Sequence, residues 1–377
     1  MIYLIISIIA LAFAGLRLTV ALVNYLFSVT RTKKDSVEEP LLSVLIPARN
    51  EEKNIGNLLD DLYRQDYKNL EIIVLDDNSM DSTASIVREK MTMDKRVSII
   101  TNDHVPRGWS GKNHACHLLA QNAGGSYFLF LDADISIKEN IISEMVEYMK
   151  LKKLVLVSIF PKQLMKSFGE RITVPNMNWI LLSLLPLVMV QLSRRPSLAA
   201  ANGQFMLFDA ETYQKLKPHE MVKSSLVEDI EMMRKIKKLR PAENSARTQG
   251  KRYRTAVLTG DNCIECKMYN DFNEAVHGFS KNVLHFFGNS LIWTSIFLFL
   301  TGPVIIFLLL CSLNLMLIYL FIAILIRILI SLTSKQNIIY NILLGPLQQL
   351  SLYYIVYRSI RIKFAGSYTW KGRQVKT

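Results

Sequence analysis

The chain has 377 residues, half of them apolar, and carries 45 Lys and Arg against 32 Asp and Glu, for a formal charge of +13 and a positive mean hydropathy. That balance excludes an ordinary soluble protein and predicts a membrane share. The basic residues cluster beside apolar segments, as in Arg31-Thr32-Lys33-Lys34 and the tail from Arg358 to Lys376, without any helix-turn-helix, finger or aromatic-basic pattern; this excludes nucleic acid as a partner and points to anionic lipid headgroups.

Ile2 to Leu26 is almost continuously apolar, broken by Arg17 and Asn24, and long enough to span a hydrocarbon core. No basic residue precedes the run and its hydrophobicity continues past Ala12-Phe13-Ala14, so it reads as an uncleaved anchor (residues 1–28) rather than a signal peptide. Arg31, Lys33 and Lys34 then place the following domain in the cytoplasm of a multi-pass cell-membrane protein.

From Leu41 short apolar runs alternate with amphipathic stretches: 42–46, 72–75, 97–100 and 128–131 read as buried parallel strands. Ile55, Leu58, Leu59 and Leu62 recur at helical spacing between the first two, with Asn50 expected to cap that helix and Glu51-Glu52 at its positive end. Each strand end is polar: Pro47-Ala48-Arg49-Asn50-Glu51, Asp76-Asp77-Asn78-Ser79-Met80-Asp81 and Asp132-Ala133-Asp134. In such sheets ligands gather at those ends. Asp132 and Asp134, alternate residues leaving a strand, can share one hard cation with phosphate oxygens, although a lone D-x-D is equally a solvated turn. Gly108-Trp109-Ser110-Gly111-Lys112-Asn113 permits close backbone approach with a lysine for a diphosphate, but its glycine spacing is not that of a Walker loop.

Further on, Trp179 to Leu192 is too short for a span and carries Pro186, leaving a core helix and a membrane-dipping helix both open. Glu228-Asp229, after the Asn202-Gly203-Gln204 turn, opens an amphipathic helix and is either an exposed helix start or a catalytic pair. The four cysteines, Cys116, Cys263, Cys266 and Cys311, form no disulfide framework, and Cys263-x-x-Cys266 lacks a second pair for a zinc cage. Leu291 to Leu310 and Leu313 to Ile330 predict a tight transmembrane hairpin, Ile338 to Tyr357 an interfacial or re-entrant segment within a 290–357 block, and residues 358–377 a basic cytoplasmic tail.

Taken together and in order, residues 47–51, 76–81, 111–112, 132–134 and 228–229 resemble glycosyltransferase family 2, inverting enzymes of GT-A fold. The anchor, the C-terminal apolar block and Trp370-Lys371-Gly372-Arg373 resemble its membrane-bound branch of diaponeurosporenoate (carotenoid), hopanoid-associated and ceramide glycosyltransferases. The resemblance implies an α/β fold, a Rossmann-like mixed-sheet domain at 41–285, and transfer of one hexose from a nucleotide sugar, UDP-linked, to a lipophilic acceptor. It also implies that Pro47, Arg49, Glu51, Asp76, Asp77, Lys112, Asp132, Gly203 and Lys281 bind the donor and that Asp134 and Asp132 engage Mn2+ or Mg2+. Asp229, with Glu228 beside it, would be the general base. The Gln-x-x-Arg-Trp signature of processive synthases is absent, His277 to Asn282 standing in its place. A processive synthase and a non-catalytic nucleotide-sugar-binding membrane partner are the competing readings.

Overall fold

The computed structural model describes residues 1–27, 39–138, 140–225, 227–240, 253–365, 367–370 and 373–376. Arg31, Lys33, Lys34, Lys371 and Gly372 therefore lie outside the described residues. The chain divides into two bodies, each assembled from separate stretches: Val29–Lys162 with Leu187–Lys267, and Met1–Ser28 with Gln163–Pro186 and Met268–Thr377. Residues 163–186 and 268–285, placed by the sequence reading in a single 41–285 domain, group instead with the apolar helices.

The first body is built on the strands β1 (Leu42–Ala48), β2 (Leu70–Asp76), β3 (Val97–Thr101), β4 (Tyr127–Leu131), β5 (Ile135–Ile137), β6 (Leu156–Phe160), β7 (Lys162–Gln163), β8 (Phe205–Asp209), β9 (Thr255–Thr259) and β10 (Ile264–Cys266). The apolar runs of β1, β2, β4 and β8 are buried on both faces. The large sheet runs β3-β2-β1-β4-β8-β6-β9, and β5-β10-β7 form a small second sheet. The strands β3, β2, β1 and β4 are parallel, as their continuous apolar character predicts. β8 runs antiparallel to both β4 and β6, so the sheet is mixed. Leu42, Val44, Leu45 and Ile46 of β1 and Ile72, Val74 and Leu75 of β2 are fully buried. Full burial of each such side chain contributes about 1.5–3 kcal/mol, and this fixes the polar strand ends rigidly in space.

One local expectation fails. The helix after β1 spans Ile55–Tyr63, so Asn50 does not cap it. Asn50 adopts a left-handed conformation (φ 53°) and joins two loops: its N–H donates to Ser79 Oγ and its side-chain oxygen accepts from Met80 N–H. The short polar side chain tolerates positive φ because it bonds locally.

Among the described residues of the second body, two helices are long and apolar enough to cross a membrane, Ile2–Leu26 and Leu313–Thr333. A third candidate, Leu291–Thr301 with Val304–Cys311, is bent by 45°, where the sequence reading expected one straight arm. The Gly302-Pro303 step explains the bend, since proline cannot continue the ladder and the preceding carbonyls lose donors. Tyr353 Oη donates to Leu298 O at 3.0 Å and Tyr319 Oη to Leu300 O at 2.6 Å, replacing those donors where water is scarce. Ala10 and Ala14, one helical turn apart, let the N-terminal helix approach Leu300, Val304, Leu308 and Tyr319 closely. Trp179 to Leu182 are buried on the helix Pro175–Leu184, and the chain breaks before a second short helix, Val188–Leu192. The final helix, Gly345–Ala365, extends through residues expected in the basic tail and turns a polar face inward through Gln348, Ser351 and Ser359.

A Cβ on Gly302 would stand 2.0 Å from Tyr353 Oη. Gly302→Ala should therefore lower stability by about 1–3 kcal/mol, and Tyr353→Phe in the same chain should restore part of that loss. Thermal unfolding of the four proteins in detergent checks it, and additive losses in the double variant would rule the clash out.

Candidate active site

The loops after β1 and β2 are tied into one edge. Arg49 Nη1 donates to Asp77 O at 2.8 Å and lies 3.8 Å from the Asp77 carboxylate, while Asp77 N–H donates to Ala48 O. Asp76, the last residue of β2, accepts from Ser79 N–H and so shapes its own turn. Pro47, next to last in β1, pairs with Leu75 and is half-buried. Asn102, after β3, donates to Asp77 Oδ1 and contacts His114 Nδ1. Glu51 is held through Thr83 Oγ1, which accepts its N–H, and through Asn54, which donates to its carboxylate.

Beside this edge, Ser110 caps the helix Gly111–Gln121 and places Lys112 in its first turn. The next residue, Asn113, is fully buried and its amide donates to the carbonyls of Val222, Lys223 and Ser225. That grip brings the loop ahead of Glu228 against the Lys112 turn. Lys112 Nζ then lies 2.7 Å from Asp132 and 3.4 Å from Glu228. Burial works against its ammonium, but Asp132 and Glu228 hold its pKa well above the ordinary lysine value.

Gly203 sits between these groups. Its N–H donates to Asp229 Oδ2 at 3.0 Å, and a Cβ there would meet Lys112 Nζ at 3.3 Å and Glu228 Oε1 at 3.4 Å. Ile230 N–H donates to Asp229 Oδ1, so both carboxyl oxygens are oriented by backbone. Burial, with Glu228 adding to it, pushes the Asp229 carboxyl up to about 7 despite those bonds. Asp134 is pushed up to about 7 in the same way, by burial and then by Asp132 and Glu51.

Two further groups reach Asp134, and motif reading did not assign either of them to the site. Gln204 O accepts from Asp132 N–H, and Gln204 Nε2 lies 3.4 Å from Asp134 Oδ1 and 2.8 Å from Cys266 Sγ. The antiparallel pairing of Cys266 with Ile135 brings that thiol beside the aspartate, and the Cys266 side chain hydrogen-bonds Asp134. Burial, reinforced by Asp134, holds the thiol well above its usual pKa. All four cysteines are free, as their spacing implied.

The structure thus brings together Glu51, Lys112, Asp132, Asp134, Gly203, Glu228 and Asp229, with Arg49, Asp76 and Asp77 on the adjoining edge. Lys281 belongs to the other body, at the end of the helix Phe272–Ser280. Among the described residues no group of three or more His, Cys, Asp or Glu side chains is arranged to enclose a metal. Two carboxylates are nonetheless what a hard cation uses when a substrate's phosphates and water complete its shell. The charge balance agrees, because five carboxylates (Glu51, Asp132, Asp134, Glu228, Asp229) interact around one lysine.

Residues 43–217 match the family described as Glycosyl transferase family 2. Over 140 residues, 37% of the chain, the sequence is 36% identical to a 4,4'-diaponeurosporenoate glycosyltransferase of Staphylococcus haemolyticus, covering 36% of that protein. A protein of the same description from Staphylococcus aureus is 31% identical over 142 residues, 37% of this chain and 36% of that one. The chain thus spans about a third of the length of these curated relatives. Among solved structures, a mannosyltransferase from Pyrobaculum calidifontis in complex with GDP-Man and Mn2+ covers 95% of this chain and 99% of its own, with a TM-score of 0.56 at 16% identity. That likeness is one of fold, the GT-A fold expected above.

A carboxyl whose pKa is raised on folding stabilises the native state below its unfolded value and loses that contribution as pH rises through the folded one. For Asp229 the loss runs from about pH 4 to about pH 7. Asp229→Asn should therefore melt higher than the parent at pH 8, by about 2–4 °C per kcal/mol relieved, with the gap closing toward pH 5. Melting curves in EDTA across that range test it, and a pH-independent gap would contradict the burial argument.

Proposed function

We propose that this chain, which carries a glycosyl transferase family 2 domain at residues 43–217, transfers a single hexose from a nucleotide sugar, UDP-linked, to a lipophilic acceptor with inversion. The observation that carries the reading is the Lys112–Asp132–Glu228 cluster with Asp134 and Asp229 around it. A nucleoside diphosphate is anionic, and five carboxylates facing one lysine would repel it. A divalent cation at Asp132 and Asp134 resolves the conflict, so donor and cation bind together. The Mn2+ of the Pyrobaculum complex and the carotenoid-acid name of the staphylococcal relatives are in keeping with it.

Mn2+ or Mg2+, when held there, supplies the charge that stabilises the departing diphosphate. The chain's own groups do the rest. Lys112 moves its charge from the carboxylates to the diphosphate. Arg49 and Asp77, locked to each other, wall the nucleotide edge along with Pro47, Glu51 and Asp76. Asp229, oriented by Gly203 and Ile230 N–H groups, accepts the acceptor's hydroxyl proton, or orients an acceptor that is already a carboxylate. The acceptor oxygen bonds the anomeric carbon as the carbon–oxygen bond to the diphosphate breaks, and the electron pair leaves with the nucleoside diphosphate. Gln204 and Cys266 set the direction of Asp134. The apolar helices hold the protein in the cell membrane as a multi-pass protein, with the catalytic body on the cytoplasmic side where nucleotide sugars occur.

Asp229→Asn should lower kcat by about 10²–10⁴-fold with donor KM little changed, and kcat/KM of the parent should rise with pH and level above about 7. Gln204→Leu should weaken Mn2+ binding by about 10–100-fold, read by Mn2+ paramagnetic resonance without any turnover. Nucleoside diphosphate release from the purified protein with a lipid extract provides the activity readout. Full release in EDTA would overturn the metal-dependent reading, and full activity of the Asp229 variant would remove the assigned base.

A further inference from the structure

Among the described residues of the helical body, Arg17 and Arg327 sit inside apolar helices and neither pairs with an acid. Arg17 lies nine residues before the end of Ile2–Leu26 and Arg327 six before the end of Leu313–Thr333, about 14 and 9 Å from those ends at the helical rise. No Asp or Glu occurs in residues 1–34 or 275–377. Glu170, the acidic residue between Gln163 and Pro186, accepts from Lys166 and Ser167 N–H through Oε2 in a capping box, and its buried Oε1 makes no bond to either arginine. Among the described residues neither arginine makes an ion pair with a carboxylate.

Both guanidinium groups stack on one indole. Arg17 Cζ is 4.2 Å and Arg327 Cζ 4.4 Å from the Trp179 ring centre. Their remaining bonds differ. Arg327 donates to Asn341 O, Gly345 O and Gln348 Oε1. Arg17 is 2% exposed and donates through Nε to Ser183 Oγ at 3.0 Å, but its Nη2 is buried without an acceptor, and so is Trp179 Nε1. Two orphan N–H donors and two positive charges therefore share one stack. Inside a membrane an unpaired charge and unmet donors both cost free energy, so such groups are retained where something complements them. The complement is an oxyanion, and among the described residues no carboxylate pairs with either arginine.

We propose that the Arg17–Trp179–Arg327 stack binds the anionic head of a membrane amphiphile, a carboxylate or a phosphate, through Arg17 Nη2 and Trp179 Nε1. The site does not depend on glycosyl transfer, and its test needs no turnover. The full chain, delipidated and placed in phosphatidylcholine nanodiscs, is titrated with phosphatidylglycerol, with oleate and with inorganic phosphate, and bound lipid is counted by native mass spectrometry beside the melting temperature. The parent should prefer phosphatidylglycerol or oleate over phosphatidylcholine by about 10-fold or more, and the better of the two identifies the head group. Arg17→Gln should abolish the preference, and Trp179→Phe, which keeps the ring and removes only the N–H, should weaken it. If Arg17→Gln fails to fold, the Trp179 variant decides alone. Equal binding of anionic and zwitterionic lipids by the parent, or an unchanged preference in the folded variants, overturns the proposal. Displacement of the lipid by inorganic phosphate overturns its assignment to an amphiphile.

Discussion

The contact between Lys112 and the two carboxylates of Asp132 and Glu228 is the constraint around which the sheet body is arranged. It joins the end of β4 to the start of the helix Glu228–Lys238, elements separated by almost a hundred residues. A lysine so placed offsets only part of the negative charge, and burial with the neighbouring carboxylates leaves Asp134 and Asp229 crowded and partly deprived of solvent. Both carboxyls answer by holding protons to unusually high pH. Proton, lysine and divalent cation are thus three solutions to one surplus of negative charge, and a donor that arrives with its cation exchanges one for another.

The helical body presents the opposite imbalance. There the surplus is positive, is set in apolar surroundings, and is spread over an indole by cation–π stacking rather than met by carboxylates. The polar network around Arg327 is well satisfied: Gln348 donates to Arg171 O and Asn341 Oδ1, and Asn176 donates to Gln348 O and Ser351 Oγ. Gln336 Nε2, at the rim of that network, is itself unbonded, and what sets Arg17 and Trp179 apart is that their two orphan donors meet in one cationic stack.

Much of this was legible in the sequence, and what was legible is local. The four parallel strands announce themselves as short apolar runs, two of them running into aspartates at Asp76 and Asp132, and the order of the polar clusters after them brought the site into view. Gln204 and Cys266 were not visible because their meeting with Asp134 depends on strand pairing across 62 to 132 residues, which no periodicity records. Asn50 was misread for a related reason: its side chain serves a neighbouring loop 30 residues on instead of the helix that follows it. The bend at Gly302-Pro303 did carry a signal, and hydropathy averaged over the run concealed it. The stack in the helical body was hidden more deeply, since Arg17 reads as a blemish in an anchor until Ser183, 166 residues later, supplies its acceptor.

That separation has a consequence in time. The chain passes between its two bodies after residues 28, 162, 186 and 267, so neither body is a single contiguous stretch. A ribosome adding about 5–20 residues per second takes roughly 10–30 s to travel from Arg17 to Ser183, and longer to reach Arg327. Through that interval the first helix to emerge carries an arginine whose acceptor and stacking partner have not yet been made, and Asn24 waits equally for the carbonyls of Leu182 and Leu185. The N-terminal helix is therefore made well before the residues that satisfy its polar groups.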